Sequence, residues 1–87
     1  MPTISRFRGM AIRMYYLREH PPPHFPVVYQ GMEAFVSIET GEVIYGRLTP
    51  ALARSIRIWT SQRRLQLFAN WERGRRNEPF EIIEGLD

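Results

Sequence analysis

The only two histidines of this chain bracket three consecutive prolines in Glu19-His20-Pro21-Pro22-Pro23-His24-Phe25-Pro26. Imidazole titrates near neutrality, so either ring could move a proton, contact a phosphate or help to hold a metal ion. Proline fixes φ and donates no backbone hydrogen bond. The run therefore excludes a helix or a central strand and predicts a stiff, extended, polyproline-like bridge that holds both rings in defined places. His24 and His20 are the catalytic candidates. At roughly 3.1 Å per residue an extended bridge sets them about 12 Å apart, near the limit for one shared ion. The chain has no cysteine, so no metal and no cofactor is expected. Arg13 or Arg18 could accompany His24 on a phosphate, but no carboxylate or nucleophile stands at a spacing that completes an acid–base pair. Three readings of the histidines stay open: groups bonding the backbone left open by the prolines, an acid–base or phosphate-contacting role, and a metal site.

The second chemical signal is arginine. All twelve cations are Arg and none is Lys, a choice suited to carboxylates and phosphates, with a coding preference for Arg as the competing explanation. Residues 1–48 carry a net charge of +1, residues 49–77 carry +6, and residues 78–87 carry −4. The middle block could meet nucleic acid or an acidic protein surface. The absence of cysteine excludes disulfides and thiol nucleophiles, and it fits a reducing compartment. The N-terminus shows no apolar leader and no run approaches the roughly 20 residues that cross a bilayer, so a cytoplasmic protein without membrane contact is expected.

Those residues must be positioned by one domain, since 87 residues at 44% apolar content support a single modest core. Residues 1–48 read as strands. Thr3–Phe7 and Met10–Tyr16 are β-rich runs around Arg8-Gly9. The stretch around Phe25, Val27 and Tyr29 precedes Gln30-Gly31, Glu33–Glu39 follows, and Thr40-Gly41 leads into Glu42–Leu48. Each of these glycine pairs is read as a two-residue turn. Pro26 argues that its strand lies at a sheet edge, at least on the side where its missing N–H would have pointed. Thr49-Pro50 is an N-cap followed by proline in the first helical turn, opening a helical block over 49–77. Leu52, Ile56, Trp59 and Leu67 fall on one side at 100° per residue, with Arg54, Arg57, Arg64 and Arg75 opposite. Ile58, Leu65 and Phe68 project toward the arginines. Either the helix breaks near Thr60-Ser61-Gln62 or an apolar seam stays exposed. Gly74 and Asn77 can end the helix, and residues 78–87 form a short strand or tail. The expected architecture is α+β: an antiparallel sheet of about four or five strands packed against one long or broken C-terminal helix. Ile12, Val36, Ile38, Ile56 and Trp59 are the predicted core.

With Met1-Pro2-Thr3-Ile4, the His20–Phe25 segment, Tyr29 with Gly31 and Glu33-Ala34, and Trp59 followed by Leu67, Asn70, Trp71 and Glu72, the chain resembles the bacterial domain of unknown function 4160 family over nearly its whole length. Members of that family are small prokaryotic proteins often encoded beside a second small protein, an arrangement similar to toxin–antitoxin operons. Where the family typically has His-Phe-His this chain has His24-Phe25-Pro26, and where a histidine typically follows the helix tryptophan it has Arg63. Histidines two apart on a strand share a face at about 7 Å, and Pro26 removes that pair. The resemblance itself implies little about mechanism. With the arginine block it leads to the expectation of a non-enzymatic binding module of toxin–antitoxin type that associates with a cognate small protein or a second copy, with nucleic acid as another partner. The alternatives are a nuclease-like toxin using His24 and a purely structural homodimer. Arg54, Arg57, Arg64, Arg75, Phe68, Arg18, His24 and Phe25 are the binding candidates.

Overall fold

The computed structural model describes residues 2–16 and 20–86. Strands β1 (Thr3–Phe7), β2 (Met10–Arg13), β3 (His24–Tyr29), β4 (Met32–Ser37) and β5 (Val43–Tyr45) form one antiparallel sheet in chain order, followed by helix α1 (Pro50–Arg75). This is the α+β layering that the change of hydrophobic period near Leu48 predicts.

Two of the three glycine turns form as expected. Arg8 and Gly9 have φ of 53° and 80°, and Gln30 and Gly31 have 49° and 79°. Two successive left-handed residues match the right-handed twist of the strands they join, which puts Phe7 opposite Met10 and Tyr29 opposite Met32. The third differs. Thr40-Gly41 lies in a five-residue loop between Ser37 and Val43. Ser37 closes that loop, donating its amide to the Glu42 carbonyl at 2.9 Å and accepting from the Gly41 amide at 2.8 Å. The extra residues carry Ile38 fully into the core.

Pro26 does not mark a sheet edge: β3 is the central strand. Pro26 pairs with Phe35 of β4, but the ladder with β2 reaches only Val27. At the height of Pro26 the sheet is open on one side, and there a missing N–H leaves no partner stranded. The proline is thus accommodated where the ladder between β2 and β3 stops, although β2 itself continues to Arg13.

Thr49 caps α1, its Oγ1 accepting from the Leu52 amide at 3.2 Å, and Pro50 occupies the first turn. The helix is one element with a bend at Arg63, whose φ of −116° and ψ of 15° leave the helical region. Both consequences expected of an imperfect stripe occur together. Past the bend Phe68 is half-buried against the core, while Ile58 and Leu65 remain 45% and 86% exposed. Asn77, at φ 58°, ends the helix: the Glu78 amide bonds the Arg73 carbonyl and the Asn77 amide bonds that of Gly74, a Schellman closure. Gly74 is not the stop. A Cβ there would sit 2.9 Å from the Tyr15 carbonyl oxygen, so Gly74 lets the helix approach the chain leaving β2.

The predicted core residues Ile12, Val36, Ile38, Ile56 and Trp59 are all fully buried. Trp59 packs against Phe7 at 5.1 Å and edge-on to Phe25 at 5.8 Å. Its indole N–H donates to the Glu84 carbonyl at 2.8 Å, so the polar atom is satisfied as the ring is buried. After α1 the chain returns as an extended tail, not a strand. Among the described residues its one bond to the sheet runs from the Ile83 amide to the Ile4 carbonyl at 2.7 Å. No helix of the described residues is long and apolar enough to cross a membrane.

Trp59→Ala is expected to lower unfolding free energy by about 3–5 kcal/mol, the range for removing a buried aromatic ring. Urea denaturation checks this, and a loss under about 1 kcal/mol would mean that the ring is not the centre of the core.

Candidate functional site

His24, the first residue of β3, is 7% exposed. Its Nδ1 lies 2.8 Å from the Pro22 carbonyl oxygen and therefore donates to it, in a stretch whose prolines supply no donors of their own. The ring meets Phe35 at 5.2 Å and Trp71 at 5.4 Å, so α1 closes over this end of the sheet. His20 is exposed. The Pro21–Pro22 peptide is cis, a departure from the all-extended rod predicted for the run. Among the described residues no three His, Asp or Glu side chains gather into a metal-holding group. Phe25 faces the core, fully buried, because strand alternation turns it opposite to His24. Arg18 lies outside the described residues.

The helical candidates separate. Arg54 and Arg57 are exposed, and Arg57 reaches Glu42 only at 3.9 Å. Arg64, just past the bend, is half-buried and donates through Nε to the Ile38 carbonyl at 3.0 Å, fastening α1 to the end of β4. Arg75 sits in the last turn beside Glu72 at 3.8 Å, and Phe68 packs against the core. The expected four-arginine stripe is therefore an exposed pair in the first half of α1 and separate contacts beyond it. Arg57 and Arg64 face the same loop, residues 38–42, as their spacing predicts, but Arg64 is half-buried there and Arg57 stays exposed.

The acidic tail meets the basic helix within the chain itself. Glu84 pairs with Arg63 at 3.3 Å, and Glu81 pairs with Arg73 at 3.6 Å. Part of the +6 charge of residues 49–77 is thus matched internally. Arg54, Arg57 and Arg76 remain exposed, with Ile58 within a turn of the first two and Leu65 past the bend.

One group escaped the sequence reading. Phe35 and Tyr45 pair across β4 and β5 with ring centroids 5.2 Å apart. Phe35 could have been found by alternation, since Ala34 and Val36 are both buried. Tyr45 could not: from Val36–Val43 to Phe35–Tyr45 one step on β4 matches two on β5, and this bulge at Ile44 re-aims the tyrosine.

A family model, Domain of unknown function (DUF4160), matches residues 9–72, and the chain belongs to that family. The matched span runs from the first turn through β2–β5 to Glu72 of α1, with β1 and the tail outside it. No curated protein and no solved structure matches the chain.

Because Arg64 satisfies a backbone carbonyl while Arg54 faces solvent, Arg64→Met should lose about 1 kcal/mol of stability and Arg54→Gln less than about 0.5. Chemical denaturation of the two variants checks this, and equal losses would contradict the division of the arginines.

Proposed function

We propose that the chain is a non-enzymatic binding module of toxin–antitoxin type, and that the outer side of α1 between Arg54 and Leu65 docks a cognate small protein. One observation carries the reading. Ile58 stands 45% exposed within a turn of the exposed Arg54 and Arg57, and Leu65 stands 86% exposed past the bend, where it borders a groove with Ala69, Glu81 and Ile83. A leucine so open on a well-capped helix has no role in the fold, since Ile56, Trp59 and Leu67 already cover the sheet. Exposed apolar side chains on a helix are what a partner's groove reads, and here one stands on each side of the bend at Arg63. The arginines beside Ile58 favour a groove rimmed by carboxylates, and Arg can pair with these through a planar fork. The family's resemblance to operon pairs supplies the candidate, the product of the neighbouring reading frame.

The catalytic alternative finds less support. His24 is buried between aromatic rings with one ring nitrogen committed to a backbone carbonyl.

Co-expression with the neighbouring product tests the reading. Wild type should co-purify with it, and the triple variant Arg54→Gln, Arg57→Gln, Leu65→Ser should bind at least about tenfold more weakly, with a thermal midpoint changed by no more than a few degrees. Unchanged affinity in the triple variant, measured by calorimetry, would show that this side of α1 is only solvated.

A further inference from the structure

The opposite face of the sheet carries a second set of groups. On β3 and β4 the residues Phe25, Val27, Ala34 and Val36 face the core, so Pro26, Val28, Glu33 and Phe35 face away; Pro26 is itself buried, Val28 and Phe35 are half-buried and Glu33 is exposed. Register extends that face: Ala11 lies opposite Val28, Arg6 opposite Ala11, and Tyr45 opposite Phe35. Arg13, two residues beyond Ala11 on β2, belongs to the same side.

We propose that this face binds single-stranded nucleic acid, with a base stacked on Tyr45 and phosphates held by Arg13 and Arg6. Tyr45 is 64% exposed, yet its ring is braced by Phe35 at 5.2 Å. That combination is an open aromatic plane with little freedom left to lose on stacking. Behind Phe35 the rings of His24 and Trp71 continue the contact, so the plane rests on packed groups.

The charge on this face argues for an anion. Arg13 is half-buried, and its Nε is buried without a hydrogen-bond partner. Arg6 is exposed on the next strand, and neither arginine has an ion pair among the described residues. The acid of this face, Glu33, accepts a hydrogen bond from the Tyr15 hydroxyl. Three strand spacings separate β2 from β5, about 14 Å, which a short stretch of single strand spans with its bases toward the tyrosine and its phosphates toward the arginines. A duplex hides its base faces, and a protein partner would leave the arginines to be matched one by one. Sequence-tolerant stacking beside Arg is the recurring chemistry of single-strand platforms. The second half of α1 reaches this face only through Trp71 behind His24, and the proposal does not rest on the docking proposed for the outer side of α1.

The test is fluorescence anisotropy with labelled oligouridine, oligothymidine and a DNA duplex of the same length, using the full chain. Wild type should bind at least one single strand more tightly than the duplex. Tyr45→Ala and Tyr45→Leu should weaken it roughly ten- to a hundredfold, the second keeping an apolar contact with Phe35, whereas Tyr45→Phe should retain binding. Arg13→Gln should reduce the slope of log affinity against log salt by about 1. Four results would overturn the proposal: no binding of either single strand at micromolar protein, equal binding of the duplex, affinity unchanged in both tyrosine truncations, or a wild-type dimer dispersed by Tyr45→Ala, which would make the face a contact between two copies.

Discussion

The side-chain amide of Asn70 is the tie on which the rest of the molecule depends. Fully buried in the second half of α1, it donates from Nδ2 to the Glu81 carbonyl and accepts the Glu81 amide at Oδ1, both at 2.9 Å. One side chain thereby stands in for a strand's backbone and lets the tail run beside the helix with its polar groups paired. Arg73 donates to the same Oδ1 at 2.9 Å and lies 3.6 Å from the Glu81 carboxylate, so charge and amide hold the same residue. Two and three residues on, Ile83 reaches the Ile4 carbonyl and Glu84 receives the Trp59 indole. The tail thus links helix, central tryptophan and first strand. Without it Ile83 would leave the core and Trp59 would keep a buried N–H unpaired, an expensive state in an apolar interior.

This closure also sorts the arginines. Tail carboxylates take Arg63 and Arg73, Arg64 bonds the Ile38 carbonyl, and Arg54, Arg57 and Arg76 stay exposed. Charge that reads as one basic block along the chain becomes partly internal cement and partly free surface. The two faces with open groups are the outer side of α1 and the far side of the sheet. The core lies between them, so groups on either face can be altered without disturbing the residues that hold the fold.

Local chemistry was legible from the residues alone. Arg8-Gly9 and Gln30-Gly31 announce two-residue hairpins because their backbone needs are met within the turn, and Thr49-Pro50 announces the helix for the same reason. The reading failed where a distant partner decides the outcome. Pro26 was judged by its own missing donor, but the decisive fact is that β2 pairs no further than Val27. Gly74 read as a stop because its close approach to Tyr15 is invisible along the chain. Asn70 carries part of the family resemblance, but its role requires knowing where Glu81 returns. For the candidate surfaces, the exposed apolar residues on the arginine side of α1 were legible, whereas Tyr45 depended on a bulge that only register reveals.

Native-state hydrogen exchange at the Glu81 and Ile83 amides tests the central role of the tail most directly. Amides bonded by Asn70 and by the Ile4 carbonyl should exchange only through global unfolding, with the same opening free energy as the slowest amides of β3. Asn70→Ala should lower that value for strands and tail together. Exchange at Glu81 and Ile83 that is faster than in β3 by several kcal/mol of opening free energy would show a tail that lifts away on its own, and would contradict the account of it as the tie between helix and sheet.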